Sequence, residues 1–433
     1  MDRRRFLQTM PAVSGLGASG LIAAEMPESP GARASSPSSP SSAASSPSRV
    51  LQHVVVIGAG AFGGWTALHL LRRGMRVTLL DAWGPGNARS SSGGETRVTR
   101  HAYTSRLYVE MVARAISLWK ESAVAWREPI FHRTGTLFFA PNDDFVGRAH
   151  RVMQAADVEH EVLTGGEVGR RFPEINADDI ASAVWEPAMG FLLARRGCAA
   201  VVRAFAREGG SYRTAEARPG RIEAGRMEGL PVSDGTTLTA DQYVFACGPW
   251  LGTLFPEVVG ELITPTRQEV FYFGLPPGDG RFAEERFPVW ADLGEQVWYG
   301  IPGNEHRGFK IALDDRGPAF DPTNGDRTPS PEMLEAARSY LAFRFPALAG
   351  APLLEARVCQ YEDTPDHDLI VDRHPEAGNV WLVGGGSGHG YKLGPALGEA
   401  TATWLLEEQP LEPAFRLDRF SQDRIQGTGS RDQ

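Results

Sequence analysis

Three glycines in the segment GAGAFG have the spacing of a turn that can approach phosphate groups. Gly58, Gly60 and Gly63 are the glycines of the dinucleotide-binding pattern G-x-G-x-x-G. The first glycine of this pattern makes a tight turn, the second lets the backbone approach a pyrophosphate, and the third lets helix pack on strand. Asp81 follows at roughly the 20-residue separation at which a carboxylate can bind ribose hydroxyls. These residues predict a bound adenine dinucleotide, and the alternative is a glycine turn in another α/β sheet.

Other residues could do chemistry by their type, although each also has an ordinary structural explanation. Cys359 lies in a strand-like run, where a cysteine is most often a small buried hydrophobic side chain. Lys310 lies in the run GFKIAL, where an inward-facing charge would be costly unless it were used. A solvent-facing lysine on an edge strand explains Lys310 equally well. Lys392 follows the glycine-rich run GGGSGHG, which would let the backbone approach a planar cofactor closely. Taken alone, Lys392 and Arg100 would each be interpreted as surface charges.

The elements around the glycine turn are predicted in the order strand, helix and strand. The β-branched run 54–57 predicts a strand, the pattern over 64–73 a helix, and 76–80 the strand that delivers Asp81. Further helices are predicted at 108–122, 145–156, 196–207, 331–345 and 394–406. Further strands are predicted at 135–140, 242–247, 269–273, 296–300, 309–313, 356–361, 369–371 and 380–383, and the runs 185–187 and 190–193 predict one return strand.

The composition is that of a globular chain without signs of a nucleic-acid partner. The chain has 433 residues, a formal net charge of -9 and 42% hydrophobic residues, a length that predicts two domains with a large core. Mild acidity and the lack of basic runs beyond the N-terminus argue against nucleic acid. The cysteines Cys198, Cys247 and Cys359 are scattered, so we expect neither a disulfide framework nor a metal site, and the first two are expected to be packing residues. No apolar run reaches the roughly 20 residues of a membrane span.

The N-terminus predicts export. The segment DRRRFLQ, with Arg3 and Arg4 as the arginine pair, resembles a twin-arginine signal, and a weakly apolar run follows at 10–24. The alternative is an ordinary secretory signal with a basic start. We expect the signal segment at 1–26 and a disordered linker at 27–49, because the linker is almost all Ser, Pro and Ala. The twin-arginine route carries folded proteins, so a cofactor could be loaded in the cytoplasm before export to the periplasm.

A series of sequence blocks lies in one order from about Val54 to Phe420: GAGAFGG, GGETRVTRHAY, EPAMGFL, ACGPW, YGIPGNEHRGFKIAL, VCQYEDTPDHDLIVDRHP and GGGSGHGYKLGPALGE. Together they resemble the glycine/D-amino-acid oxidase superfamily and, within it, the monomeric sarcosine oxidase and N-methyltryptophan oxidase group. The resemblance implies an α/β fold, with a Rossmann-type FAD-binding domain interleaved with a mixed-sheet α+β substrate domain. We expect residues 50–130, 195–265 and 350–420 in the FAD-binding domain, and 131–194 and 266–349 in the substrate domain.

The resemblance implies FAD as the cofactor and places several residues around it. In this family the cysteine of the V-C-x-Y block, here Cys359, carries a thioether bond to the 8α-methyl group of the flavin, so covalent FAD is expected. Gly248 of the ACGPW block is expected at the cofactor. So are Gly386, Gly388 and Gly390 of the glycine-rich run, and the helix that follows them would direct its dipole at the anionic O2/N1 edge of the flavin.

The resemblance also implies the catalytic and substrate-binding residues. Arg97 resembles the arginine that lies against the flavin face. Lys310 resembles the lysine that activates O₂, because a preorganised cation stabilises the anion that forms when O₂ takes an electron. Arg100 and Lys392 are expected to hold the substrate carboxylate, the first as a bidentate fork and the second as a point charge. The remaining expected pocket residues are His389, which is placed with the catalytic group, Tyr361 and Tyr299; a core aromatic remains an alternative for Tyr299.

The chain departs from the sarcosine-type pattern at a few positions. Ser92 and Gly93 stand where those enzymes carry a His-His pair, and Asp314 stands where they have a histidine after the lysine. Trp290 is aligned with a smaller pocket residue. We expect these departures to leave the flavin site intact and to alter the wall of the substrate pocket, so sarcosine itself is not predicted as the substrate.

The resemblance implies oxidation of the C–N bond of a carboxylate-bearing amine to an imine, with O₂ reduced to hydrogen peroxide. A hydride equivalent would pass from the carbon next to nitrogen to the flavin N5, and water would hydrolyse the imine. The expected partners are a small-molecule amine and O₂, and the expected state is a monomer. Alternatives are a same-fold FAD dehydrogenase that passes electrons to a quinone or carrier, an NAD-dependent dehydrogenase, and a non-catalytic protein that holds FAD. N-methyl amino acids, cyclic imino acids and glycated amino acids would all fit the predicted carboxylate site.

Overall fold

The structure, a computed structural model, describes residues 52–420, so the predicted signal segment 1–26 and linker 27–49 lie outside the described residues. The α-helices within the described range are α1 Ala61–Arg72, α2 Arg106–Trp126, α3 Asp144–Ala155, α4 Gly165–Arg171, α5 Ala194–Arg207, α6 Leu251–Leu254, α7 Pro256–Val259, α8 Pro331–Arg344 and α9 Gly394–Leu405. None of these described helices combines the length and the apolar character needed to cross a membrane.

A six-stranded sheet in the described range carries the glycine turn. In spatial order its strands are β20 Ile370–His374, β21 Ala377–Gly384, β14 Gln242–Phe245, β1 His53–Ile57, β2 Arg76–Asp81 and β9 Ser211–Thr214. The pairs from β21 to β9 are parallel, and β20 pairs antiparallel with β21. Strand β1 is buried along its whole length, as expected for a parallel sheet covered on both faces. Covering is supplied on one face by α1, which packs on β2, α5 and α9.

An eight-stranded mixed sheet in the described range forms the second layer system. Its order is β19 Leu353–Asp363, β15 Thr264–Phe273, β18 Phe309–Leu313, β17 Val297–Ile301, β16 Val289–Leu293, β5 Thr136–Ala140, β7 Ser182–Glu186 and β6 Glu161–Thr164. Only the β16–β5 pair of this sheet is parallel. With the parallel sheet, this mixed sheet confirms the predicted fold class.

The domain boundaries stay a prediction, and β19 is a long strand that does not follow them. Strand β19 lies in the range 350–420 assigned to the FAD-binding domain, yet it pairs along its length with β15 in the mixed sheet. The sequence predicted β19 as a shorter strand at 356–361, and this prediction did not include its pairing with the mixed sheet. An aromatic core that includes Trp290, Phe309 and Phe345 packs against this sheet, and burying each such side chain stabilises the fold by about 1.5–3 kcal/mol.

The described range also contains a small three-stranded sheet. It contains β3 Thr96–Thr99, β8 Gly190–Leu193 and β4 Phe131–Arg133. The predicted single return strand is therefore wrong, because 182–186 pairs in the eight-stranded sheet and 190–193 pairs with β3. Two short hairpins, β10 Ile222–Glu223 with β11 Arg226–Met227 and β12 Leu230–Pro231 with β13 Thr237–Leu238, complete the strands.

Candidate active site

The glycine turn between β1 and α1 has no room for side chains at two of its three predicted positions. Gly58 has a φ of +102°, and a Cβ there would lie 2.2 Å from the carbonyl oxygen of Ala246. A Cβ on Gly63, which lies inside the first turn of α1, would lie 1.9 Å from the carbonyl oxygen of Gly58. Gly60 is the N-cap of α1 and supplies no side-chain cap. Because the first N–H groups of a helix lack intrahelical partners, this end of α1 suits a phosphate.

Asp81 at the end of β2 braces the same turn. Its Oδ2 accepts the main-chain N–H of Ala59 at 2.8 Å, and its Oδ1 accepts those of Trp83 and Gly84 at 2.9 and 2.8 Å. Burial raises the pKa of Asp81, and these three N–H groups oppose the shift. The carboxylate therefore links the ends of β1 and β2.

A cavity of about 760 Å³ extends along this turn. Its walls include Trp83 and Trp250, whose ring centroids are 4.9 Å apart, and residues 215–219. The predicted site residues that line the cavity are Gly58, Gly60, Asp81, Gly248, Gly386, Gly388, Gly390, Arg97 and Tyr361. Residues that the sequence places more than 300 positions apart are thus brought to one elongated space.

Two cations, the buried Lys310 and the half-buried Arg97, meet at one carbonyl beside this cavity. Lys310 donates from Nζ to the carbonyl oxygen of Thr96 at 3.2 Å, and Arg97 donates from Nη1 to the same oxygen at 2.8 Å. Lys310 lies in β18 between two other strands and is 1% exposed, so the interpretation as a solvent-facing lysine on an edge strand is wrong. Burial, followed by the charge of Arg97, lowers the pKa of Lys310 to about 7. Tyr299 lies beside it, with Nζ 5.3 Å from the ring centroid.

Cys359 is a neighbour of Arg97. The Sγ atom lies 3.7 Å from Nη2 of Arg97, which also donates to the carbonyl oxygen of Ser91. Cys359 is half-buried in β19 and is a free cysteine. Arg97 therefore connects the cavity that it lines, the thiol and Lys310.

Arg100 and Lys392 approach one aromatic ring from positions far apart in sequence. The guanidinium carbon of Arg100 lies 3.8 Å from the ring centroid of Tyr103, and Nζ of Lys392 lies 5.1 Å from it. Lys392 is 4% exposed and donates to the carbonyl oxygen of His389 at 2.8 Å. Burial and the charge of Arg100 hold the pKa of Lys392 well below its usual value. Arg100 is half-buried, so neither cation is a simple surface charge.

His389 has two hydrogen-bond partners, which determine the ring nitrogen that carries the proton in the neutral form. Its Nε2 lies 3.0 Å from the carbonyl oxygen of His367, which can only accept, so Nε2 carries the proton and donates. Nδ1 then accepts the hydroxyl hydrogen of Tyr103 at 3.1 Å. Burial, with the charge of Lys392 second, holds the pKa of His389 well below its ordinary value. This arrangement orients Tyr103 under the two cations.

Tyr361 connects the cavity with this cationic cluster. It lines the cavity, and its hydroxyl donates to Oδ1 of Asp314 at 2.5 Å. The carboxyl of Asp314 in turn interacts electrostatically with Arg100 and Lys392. Lys310, Arg100, Lys392, His389 and Tyr299 do not line the cavity themselves, so the structure divides the predicted residues into a cavity group and an adjoining charged group.

Comparison with known proteins agrees with this geometry. The sequence model of the FAD-dependent oxidoreductase (DAO) family matches residues 53–404. The chain belongs to this family. It is 31% identical to N-methyl-L-tryptophan oxidase of Salmonella arizonae, over 85% of this chain and 99% of that one. It is 32% identical to monomeric sarcosine oxidase of Streptomyces avermitilis, over 84% and 96%. The L-proline dehydrogenase from P. horikoshii has the same fold, with a TM-score of 0.76 and 22% identity over 86% of this chain and 98% of that one.

The predicted family and its dependence on FAD are therefore confirmed, and the cavity fits this cofactor. Oε2 of Glu362 and Oγ of Ser91 are buried without a hydrogen-bond partner among the described residues, and both residues line the cavity. Such orphaned groups cost about 1–3 kcal/mol each unless a ligand satisfies them. Oε1 of Glu362 accepts the N–H of Gly386 at 3.2 Å, and burial raises the pKa of Glu362 to about 7. A protonated Glu362 can donate to a bound dinucleotide, as Ser91 can.

Two of the noted departures lie away from the substrate pocket. Oγ of Ser92 accepts the N–H of Ala61 at 3.2 Å and lines the cavity at the first turn of α1, so this residue belongs to the cofactor turn. Trp290 is fully buried and packs in the aromatic core with Phe309 and Phe345. The expectation that these residues alter the substrate wall is wrong. Of the departures, Asp314 is the one that reaches the charged group.

Sequence reasoning missed the roles of Tyr103 and Glu362, although both lie in the family blocks. A compositional signal was also available, because the whole chain contains only three lysines, Lys120, Lys310 and Lys392. Lys310 and Lys392 are buried in the site, although nearly all other cationic side chains of the chain are arginines.

Within residues 52–420, no group of His, Cys, Asp or Glu side chains could hold a metal ion.

Proposed function

We propose that this protein oxidises the C–N bond of a carboxylate-bearing secondary or N-methyl amine to an imine, with reduction of O₂ to hydrogen peroxide. The observation that carries the proposal is the pair of cations, Arg100 and Lys392, around the ring of Tyr103. Asp314 connects this pair with Tyr361, which lines the cavity. Relatives about 30% identical over most of the chain are an N-methyl-L-tryptophan oxidase and a monomeric sarcosine oxidase. Each relative is named after a substrate, N-methyl-L-tryptophan or sarcosine, that carries a carboxylate next to its amine.

The residues of the charged group have separate roles in this proposal. Arg100 and Lys392 bind the substrate carboxylate, and neutral His389 holds Tyr103 in place beneath them. A bound carboxylate offsets the cost of charging buried Lys392, so binding favours its ammonium form. FAD supplies the acceptor for the hydride equivalent and the electrons for O₂. Lys310 and Arg97 hold positive charge at the carbonyl of Thr96, where the anion formed from O₂ would be stabilised.

An amine panel with a peroxide readout tests the proposal. The panel contains sarcosine, N-methyl-L-tryptophan, pipecolate and a glycated amino acid, each paired with its carboxamide. We expect O₂ uptake and peroxide with at least one acid, and at least tenfold slower turnover with its carboxamide. Reduction of the flavin by an acid without peroxide formation would favour the dehydrogenase alternative. Flavin reduction by none of the acids would contradict the proposal.

We also propose that FAD is attached to Cys359 through a thioether bond. The position of its Sγ next to Arg97, which lines the cavity, supports the attachment. The protein is denatured, run on a gel and viewed for flavin fluorescence. We expect fluorescence in the band of the wild type and of Cys247→Ser, a control at a cysteine that lines the cavity, and none in Cys359→Ser. A wild-type band without fluorescence would contradict the covalent link but would not contradict the FAD site.

Two further proposals concern the location and state of the protein. The segment DRRRFLQ supports export through the twin-arginine route, and replacing Arg3 and Arg4 together by lysine should keep the protein in the cytoplasm. The relation to a monomeric sarcosine oxidase supports a monomer. Sedimentation of the unprocessed chain should then give a mass near 47.0 kDa, and a dimer mass would contradict this.

A further inference from the structure

Asp314 places a carboxylate on the same side of β18 as the buried Lys310. The main-chain N–H of Asp314 donates to the carbonyl oxygen of Val297 at 2.7 Å, so the strand pairing continues to this residue. Alternate residues of a strand face the same side, which puts Lys310, Ala312 and Asp314 in one row. Asp314 therefore projects toward the site at the end of the strand that carries Lys310.

Asp314 is an exposed residue whose carboxyl nevertheless lies among other side chains. Desolvation by these neighbours raises the pKa of Asp314, and the nearby cations oppose the shift. One carboxylate oxygen accepts the hydroxyl of the cavity residue Tyr361 at 2.5 Å. The charges that act on Asp314 include those of Arg100, Arg316 and Lys392, and Asp314 also acts on Lys310. An accessible carboxylate is thus held among the cations proposed to bind the substrate.

We propose that Asp314 binds the cationic nitrogen of the substrate, so that the site selects zwitterionic amino acids over simple carboxylates. The inference rests on the proposed function, since it takes Arg100 and Lys392 as the partners of the substrate carboxylate. An amino acid carries one anion and one cation next to each other, and the site presents cations and an anion next to each other. Amino acids are zwitterions at neutral pH, so the site binds the abundant form.

A different role for Asp314 makes a different prediction. If Asp314 only offset the two cations, its removal would strengthen binding of every carboxylate by the same factor. If Asp314 contacts the substrate cation, its removal would weaken the binding of zwitterions relative to the binding of anions of the same shape. The ratio of two affinities therefore separates the roles.

Glycine betaine and 3,3-dimethylbutanoate are a matched pair for this test. Both carry a carboxylate on a methylene group, and they differ in a trimethylammonium group against an uncharged tert-butyl group. Neither needs to react, because binding is measured by the change that each ligand causes in the visible absorbance of the holoenzyme flavin. The wild type should bind betaine at least about tenfold more tightly, as expected for one charge pair partly screened by the protein.

Three variants complete the experiment. Asp314→Asn should reduce the betaine preference at least about tenfold, and Asp314→Glu, which keeps the charge, should retain most of it. Asp315→Asn is the control, since the neighbouring Asp315 uses its carboxylate to accept the N–H of Val297; its preference should equal that of the wild type. The flavin spectrum and thermal unfolding of each variant show that it is folded.

An unchanged betaine preference in Asp314→Asn would overturn the inference, and so would the absence of binding by either ligand to the wild type. Failure of the proposed function is a separate result. If no amine is oxidised but the preference disappears in Asp314→Asn, then charge recognition stands without amine oxidation. If an amine is oxidised but the preference is unchanged, then only the role of Asp314 fails.

Discussion

Replacing Lys310 by methionine removes the buried cation proposed to help O₂ take its first electron. Methionine keeps an unbranched apolar stem of similar volume, so the packing in β18 should survive. A unit charge 4–6 Å from a developing anion contributes about 3–4 kcal/mol at an effective dielectric constant of about 20. Lys310→Met should therefore slow reoxidation of the reduced flavin by about 10²–10³-fold, whereas reduction by the amine should change far less.

The assay separates the two halves of the reaction. The flavin is reduced chemically without oxygen and then mixed with O₂ in a stopped-flow instrument, and the return of its absorbance is followed. Lys120→Met is the control, because Lys120 is the exposed lysine of the three. A change of less than about threefold in Lys310→Met, with the control normal, would refute the role of Lys310.

The same experiment has a pH dependence with a defined sign. Burial lowers the pKa of Lys310 to about 7, so the ammonium is complete below this pH and is lost as the pH rises through it. Bound anionic groups would move the transition upward. The wild-type rate of reoxidation should thus fall with rising pH at or above about 7, and Lys310→Met should be flat over that range.

Three further predictions follow from single contacts. Lys392→Met removes the buried charge that is proposed to donate to the substrate carboxylate, a bond of about 1.5–3 kcal/mol. The KM for the amino-acid substrate should therefore rise about 10–100-fold while the KM for its carboxamide stays constant; equal changes in both would contradict the carboxylate site. Gly58→Ala places a Cβ 2.2 Å from a carbonyl oxygen at a φ of +102°, so the purified variant should lack FAD absorbance. Full flavin content would contradict the claim that this turn has no room for a side chain. Asp292→Ala leaves the 2%-exposed Arg344 without one of its carboxylate partners, which lies at 2.7 Å, so chemical denaturation should show a free energy of unfolding lower by about 3–5 kcal/mol; a loss below about 1 kcal/mol would contradict a stabilising role.

The parts of the site that local geometry determines could be predicted from sequence. The spacing of Gly58 and Gly63 reports a turn with no room for a Cβ, and the structure has this turn between the predicted strand and helix. The predicted helix start at 64 was late, because the pattern places its third glycine inside the first turn of α1. Asp81 also lies at the end of β2 and contacts the glycine turn, where its sequence separation from the turn predicted it.

Contacts between distant segments could not be derived from the residues alone. Nothing in the local pattern brings Arg100 and Lys392 to the ring of Tyr103, and only the family resemblance paired them. Trp290 shows the opposite error, since a position aligned with a pocket residue lies in the core once β16 pairs with β5 and β17. The partnerless oxygen of Glu362 follows from burial in three dimensions, a property that sequence spacing does not carry.

Anaerobic mixing of the purified protein with an N-methyl amino acid tests the central claim most directly. The flavin absorbance in the visible range should bleach in a single turnover without oxygen. The carboxamide of the same amino acid should bleach it at least tenfold more slowly, and Lys392→Met should remove most of this difference. A flavin that dithionite bleaches but that no carboxylate-bearing amine reduces would contradict the proposed function.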